Sequence, residues 1–253
     1  MNRGESNWDR YLHLFPDTID GNGDVACDSY HLWRRDVQMC EEVGLDMYRF
    51  SIAWSRLLPT GLPNYISEDG KNYYNNLIDG TFDFYALNHY SSLLVRKAKP
   101  GEAIGKTLVD GIEELGIVLE ADPSWEKGDI KWLTVHPEGL RQQLNYLKNT
   151  YNLSEIMITE NGFFSSNASL NDVRTVNYTR KYLEQVALAI QDGVNVTAYF
   201  HWSLMDNFDK GYDAKFGLYA VDFTDTNRTR TPRLSSRYYS KVIKTHCTDP
   251  EDY

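Results

Sequence analysis

Residues 156–162 read I-M-I-T-E-N-G. Four apolar or β-branched residues run directly into a carboxylate, Glu160, and then into Asn161-Gly162. An apolar run this short, closed by turn residues, has the pattern of a fully buried strand. Glu160 would stand at its carboxyl end, where α/β barrels place their chemistry. A carboxylate is costly to bury there unless donors hold it or a reaction uses it. The plainer alternative makes Asn161-Gly162 a hairpin turn and Glu160 a solvated turn residue.

Outward from this run the chain alternates strand and helix patterns. Residues 1–27 are polar and rich in turn formers. Asp28 reads as the N-cap of a helix running to about Val43, with Trp33, Val37 and Cys40 on one face and Gly44 closing it. Residues 47–52, M-Y-R-F-S-I, read as a strand carrying Arg49 toward its end. A polar helix follows over about 68–79, and residues 81–90, T-F-D-F-Y-A-L-N-H-Y, form another strand. A long irregular connection leads to Pro137, which suits the first turn of a helix with Leu140, Leu144 and Leu147 on one side. Beyond the central strand come a helix over about 175–192, a buried strand over 194–202 and a last helix over about 235–246. This alternation argues for an α/β fold with a parallel sheet covered by helices.

Composition narrows the function classes. The chain has 253 residues, enough for one large domain or two small ones. Its net charge is −10 with no basic cluster, which argues against nucleic acid and anionic membranes as partners. No run approaches the apolar length that spans a bilayer. Cys27, Cys40 and Cys247 are odd in number and lack C-x-x-C spacing, so neither a zinc site nor a disulfide scaffold is expected. The opening M-N-R-G-E-S-N-W carries no signal-peptide pattern. Five N-x-S/T sequons, at Asn152, Asn167, Asn177, Asn195 and Asn227, hint at a secreted or lysosomal parent, and the compartment stays open.

Several longer stretches carry a family resemblance. They are Y-R-F-S-I-A-W-S-R-L-L-P (48–59), F-Y-A-L-N-H-Y (84–90), I-T-E-N-G (158–162), H-W-S-L-M-D-N-F (201–208), F-G-L-Y-A-V-D-F (216–223) and R-T-P-R (230–233). In this order they resemble glycoside hydrolase family 1, the retaining β-glucosidases, myrosinases and lactase-type enzymes. The resemblance implies a (β/α)8 TIM barrel that cleaves β-glycosidic bonds with two carboxylates and with no metal or organic cofactor. Glu160 matches the nucleophile, which would form a glycosyl-enzyme intermediate. Arg49 matches the arginine paired with that carboxylate, and Tyr90 the tyrosine that orients it. Asn88 lines the same pocket, Trp202 is the platform for the sugar ring and Phe216 an adjoining wall. The implied partner is a β-glycoside, small molecule or oligosaccharide.

The departures are as informative as the matches. A retaining hydrolase needs a second carboxylic acid about 5 Å from the first. The family carries it in T-x-N-E-P on the fourth strand, and no N-E-P occurs here, so no residue is assigned as general acid/base. Residues 77–79 run almost directly into 81–83, which match the sixth strand. The expected fold is therefore an incomplete barrel lacking strands 1, 3, 4 and 5, with the first strand falling before the start of the chain. Residues 1–253 would form one partial domain: 1–79 the second βα unit with its preceding segment, 80–253 the sixth to eighth units. Where the family reads N-F-E-W the chain has N-F-D-K, leaving Asp209 to accept sugar hydroxyls with one methylene less reach and Lys210 where a Trp would stack. The resulting readings are a β-glucosidase-like O-glycosyl hydrolase whose chain is inactive alone, a non-catalytic carbohydrate-binding pseudoenzyme, and a truncated isoform or gene model with no folded state.

Overall fold

The computed structural model describes residues 4–16, 23–50, 53–57, 59, 65–75, 85–104, 111–112, 116–151, 155–166, 169–208 and 211–250. In chain order the helices are α1 (Asn7–Leu14), α2 (Ser29–Val43), α3 (Trp54–Leu57), α4 (Glu68–Asn75), α5 (Pro137–Tyr151), α6 (Val173–Gln191) and α7 (Leu234–Thr245). The strands are β1 (Tyr85–Asn88), β2 (Leu94–Lys97), β3 (Gly111–Ile112), β4 (Ile117–Glu120), β5 (Glu126–Lys127) and β6 (Thr134–Val135), followed by β7 (Ile156–Asn161), β8 (Val196–His201), β9 (Tyr219–Val221) and β10 (Arg230–Pro232).

The run that opens the sequence reading is β7, the middle of a parallel sheet ordered β1-β7-β8. Tyr85 and Leu87 stand opposite Ile156 and Ile158 on one side, and Val196 and Tyr199 stand opposite them on the other. Parallel neighbours need long crossovers, which α5 and α6 supply. Leu140, Leu144 and Leu147 of α5 are buried together with Tyr178, Tyr182, Val186 and Ala189 of α6 against Ile156 and Ile158. The i, i+4, i+7 spacing read in α5 is thus the face that meets the sheet. Along β7 Ile156, Ile158, Thr159 and Asn161 are buried, and Met157 and Glu160 only partly. The expectation of a fully buried strand holds except at those two positions. The helix layer covers one face, and the other looks into an open cleft.

A second core joins the N-terminal helices to the end of the chain. Met39 and Val43 of α2 pack with Met205, Leu218, Tyr219, Val221 and Tyr239. Two buried ion pairs lock this junction, Arg230 to Asp36 at 2.9 Å and Arg233 to Asp206 at 2.7 Å. Burial still outweighs Arg230 at Asp36 and raises its carboxyl above the usual range. The buried face of α2 is therefore Asp36, Met39, Cys40 and Val43, rather than one centred on Trp33 and Val37. Asp28 does not cap α2 through its side chain; its carboxylate pairs instead with His31 at 2.7 Å.

Three further expectations change. Residues 47–50 form no strand, so the reading of 47–52 is corrected over the part described. Tertiary pairing makes strands, and among the described residues no strand pairs with 47–50. Residues 91–136, expected to be irregular, hold two antiparallel sheets, β2-β4-β3 and β5-β6. The predicted spans 68–79 and 81–90 are regular over 68–75 and 85–88, and their remaining parts, except for Asn88's neighbours His89 and Tyr90, lie outside the described residues.

Among the described residues both outer strands of the parallel sheet, β1 and β8, have no neighbour on one edge. Beside β8 lies a cleft of about 930 Å³, bounded by residues 45–50, by Leu183, Val186 and Ile190 of α6 and by Val242 and Ile243 of α7. No helix among the described residues is long and apolar enough to cross a membrane.

Candidate active site

Glu160 is the penultimate residue of β7, its side chain 16% exposed and both carboxylate oxygens engaged. Arg49 donates from Nη1 to Oε1 at 2.6 Å, and the Tyr90 hydroxyl donates to Oε2 at 2.7 Å. The same Arg49 Nη1 donates to the Thr159 carbonyl at 3.0 Å, so the guanidinium is anchored to the strand as well as to the carboxylate. Arg49 itself remains 44% exposed. Charge-assisted bonds of this length are the stronger class of protein hydrogen bond. The tertiary fold thus brings two residues from widely separated parts of the chain onto one carboxylate.

Each partner is held from behind. Tyr90 packs edge-on against Trp132 and Phe216, with ring centroids 5.8 Å and 6.1 Å away. Its carbonyl accepts from the Tyr178 hydroxyl of α6 at 3.0 Å. Phe216, 4% exposed, lies one layer behind the cleft between Tyr90 and Phe164. Trp202 lines the same cleft as Arg49 and Glu160. Its backbone N–H donates to the Asn161 carbonyl at 2.8 Å, extending the β7–β8 pairing. A Cβ on residue 162 would stand 1.9 Å from the Trp202 carbonyl, so Gly162 is required for this close approach. Asn88 is exposed, and its Oδ1 accepts from the Thr159 hydroxyl at 2.7 Å. Asp209 lies outside the described residues.

The hairpin-turn alternative for Asn161-Gly162 fails on geometry. Asn161 is fully buried; it donates to the His89 carbonyl at 2.7 Å and to the Tyr178 hydroxyl at 2.9 Å, and accepts from Tyr199 at 2.6 Å. One side chain therefore ties β1, α6 and β8 to the end of β7, directly behind Glu160. Sequence reading did not single out Asn161 or Thr159 as positioning groups. The available signal was an amide placed where an apolar strand ends and Gly allows a close neighbour.

Of two histidines near the strand ends, His201 lines the cleft with Glu160 and His89 does not. His89 pairs with Gln143 at 2.8 Å, and burial holds its imidazole below the usual value. His201 packs on Tyr239 of α7 at 5.7 Å, and burial pushes its imidazole down to about 4, with a Phe216 backbone group opposing that only in part. Among the described residues no group of three or more His, Cys, Asp or Glu side chains is placed to hold a metal ion.

The comparisons with known proteins agree with this geometry. The model of glycosyl hydrolase family 1 matches in two pieces, residues 2–81 and 78–248. They meet at the point where the third to fifth units were expected to be missing. Human cytosolic beta-glucosidase is 38% identical over 193 residues, which is 72% of this chain but 38% of that protein. Myrosinase 1 of Brevicoryne brassicae is 24% identical over an alignment of 441 residues covering 96% of this chain and 93% of the relative, so the alignment must step across a long stretch that this chain lacks. The solved structure of an aphid myrosinase superposes with a TM-score of 0.85 at 23% identity, over 98% of this chain and 95% of the other. The fold is an incomplete (β/α)8 barrel, and the chain spans about 38% of the human relative that it matches. By sequence and by fold together, this chain belongs to glycosyl hydrolase family 1.

Proposed function

We propose that the chain carries the nucleophile half of a β-glucosidase-like retaining O-glycosyl hydrolase. Glu160 is the nucleophile, Arg49 and Tyr90 orient it, Trp202 is the sugar platform, Asn88 and Asp209 complete the sugar side, and Phe216 is the adjoining wall that backs Tyr90. The observation that carries this reading is the two-point grip on Glu160, at 2.6 Å and 2.7 Å. A carboxylate held on both oxygens presents its remaining lone pairs in a fixed direction, as attack on an anomeric carbon requires. Residues 1–79 act as the second βα unit with its preceding segment and 80–253 as the sixth to eighth units of one partial domain. The partner is a small β-glycoside or oligosaccharide.

The second carboxylic acid belongs to the fourth unit of the family pattern, which this chain omits. Ordinary β-glucosides should therefore bind without efficient turnover. Loss of general acid and base assistance lowers rates by about 10²–10⁴-fold, and loss of half the pocket removes positioning as well. A Thermotoga maritima beta-glucosidase of this fold has been solved in complex with deoxynojirimycin, and the same ligand is proposed for this chain. Calorimetric titration of the 253-residue protein should give saturable binding, weakened about tenfold or more by both Trp202→Ala and Glu160→Gln. No binding by protein that melts cooperatively would sink the proposal. Binding weakened by Trp202→Ala but indifferent to Glu160→Gln would favour the competing reading, a carbohydrate binder without chemistry.

A further inference from the structure

We infer that Asn227 is an N-glycan acceptor, and that the fold selects it over the sequons at Asn177 and Asn195. This assignment does not depend on the reading of Glu160.

A folded chain can be glycosylated only where the asparagine amide and the hydroxyl two residues later both reach an enzyme from a surface loop. Asn152 and Asn167 lie outside the described residues. The other three sequons sit in three kinds of backbone. Asn177 lies in α6 and is exposed, but Tyr178 and Thr179 are only 2% and 1% exposed. The Thr179 hydroxyl donates back to the Thr175 carbonyl at 2.9 Å. Residues two apart on a helix do not face each other, so this amide and this hydroxyl cannot be presented together. Asn195 leads into β8. Its carbonyl accepts from the Ile156 N–H at 3.0 Å, and the Thr197 hydroxyl donates to Glu155 Oε1 at 2.8 Å. Bending that sequon into an enzyme would pull on the β7–β8 ladder, where Ile156 stands opposite Val196.

Asn227 stands at the tip of the β9–β10 hairpin, in a turn closed by the Arg228 N–H on the Asp225 carbonyl at 2.9 Å. Asn227 and Thr229 are both exposed, and neither belongs to a strand. The residue between them faces the other way. Arg228 takes the left-handed backbone, with φ at 49°. Its guanidinium donates inward to the carbonyls of Ala26 at 3.2 Å, Phe223 at 2.6 Å and Asp225 at 2.8 Å. With Arg228 turned in, its two neighbours are turned out. The turn holds Asn227 by its backbone N–H, which donates to Asp225 Oδ1 at 2.9 Å. The Thr229 hydroxyl bonds Asp225 Oδ2, a contact confined to the same turn. A bulky glycan on this tip would project into solvent and leave both cores untouched.

The donor is an oligosaccharide linked to a lipid pyrophosphate. The Asn227 amide nitrogen attacks the anomeric carbon of its first sugar. The bond from that carbon to the pyrophosphate oxygen breaks with both electrons on the pyrophosphate, and the nitrogen loses one proton to the transferase.

The folded 253-residue protein, incubated with a single-subunit oligosaccharyltransferase and this donor, should carry glycan on Asn227 and none on Asn177 or Asn195, as mapped by peptide mass. Short peptides bearing the Asn177 and Asn195 sequons, with no fold to hide them, should accept the same glycan. Thr229→Ala should lose the modification and Thr229→Ser keep it. A folded chain left bare at Asn227 would overturn the inference. So would equal modification of Asn177 or Asn195 in the folded chain. Peptides that refuse the glycan would overturn it too, because local sequence and not the fold would then be selecting. Mapping is done on the unsubstituted chain, so the result does not depend on how a variant folds.

Discussion

Two stretches of this chain have similar makeup and different fates. Residues 47–50 and 156–161 are both apolar, aromatic or β-branched runs that deliver one charged side chain, Arg49 in the first and Glu160 in the second. The second is a strand, hydrogen-bonded to β1 on one edge and β8 on the other. The first has no ladder and is tied to the sheet through the Arg49 guanidinium. β-Propensity is largely a measure of the packing that neighbours supply. A strand needs a neighbour to pair with, and no strand pairs with residues 47–50 among the described residues. The difference teaches that the charged pair survives where the ladder does not, because one long side chain can bridge a gap that backbone hydrogen bonds cannot.

The largest expected effect tests that contrast directly. Ile158 is 0% exposed in the core shared by sheet and helices. Ile158→Ala should lower stability by about 3 kcal/mol, read from the midpoint of urea denaturation. Phe50→Ala, at a half-buried position outside any strand, should lose less than about 1.5 kcal/mol. Equal losses would mean that residues 47–50 are packed as firmly as β7, and the comparison would fail.

A smaller effect sharpens the picture of the helix-covered face. His201 is neutral when buried, with its imidazole down at about 4 instead of 6.5. Between those two values the unfolded chain binds more protons than the folded one, so stability falls as pH drops from about 6.5 toward about 4. Full burial would make this about 3 kcal/mol, and the half-buried position of His201 reduces it. In His201→Phe that limb of the stability profile should flatten. A limb unchanged by the substitution would show that water already reaches the imidazole, and that β8 is open on both faces.

The smallest expected effect falls on the stretch without a ladder. Arg49 is 44% exposed, so screening limits what its pair with Glu160 adds to folding. Arg49→Ala should shift the denaturation midpoint by less than about 1 kcal/mol. A loss as large as that of Ile158→Ala would make Arg49 a structural clamp, with residues 47–50 part of the core.

The helical half of the fold was legible because its side chains carry their own period. Leu140, Leu144 and Leu147 recur at helical spacing and do face the sheet. The face of α2 was misread because its most buried polar residue, Asp36, goes inside to meet Arg230, 194 positions later. No local pattern announces such a partner. The short strands between residues 94 and 135 escaped for a similar reason, since two- and four-residue ladders carry too few alternations to register. At the site, Glu160 was legible from its place after an apolar run, whereas Asn161 was read as a turn former and is instead the buried amide that joins three elements.

From its residues alone the chain determined the sheet-facing period of the 137–151 helix, the strand character of the 156–161 run and the placing of a carboxylate near its end. Only the tertiary structure decided which apolar runs become strands and which donors reach that carboxylate. The physical reason is range. Periodicity is written into neighbouring side chains, while a ladder partner or a second hydrogen bond to Glu160 arrives from segments 70 and 111 residues away.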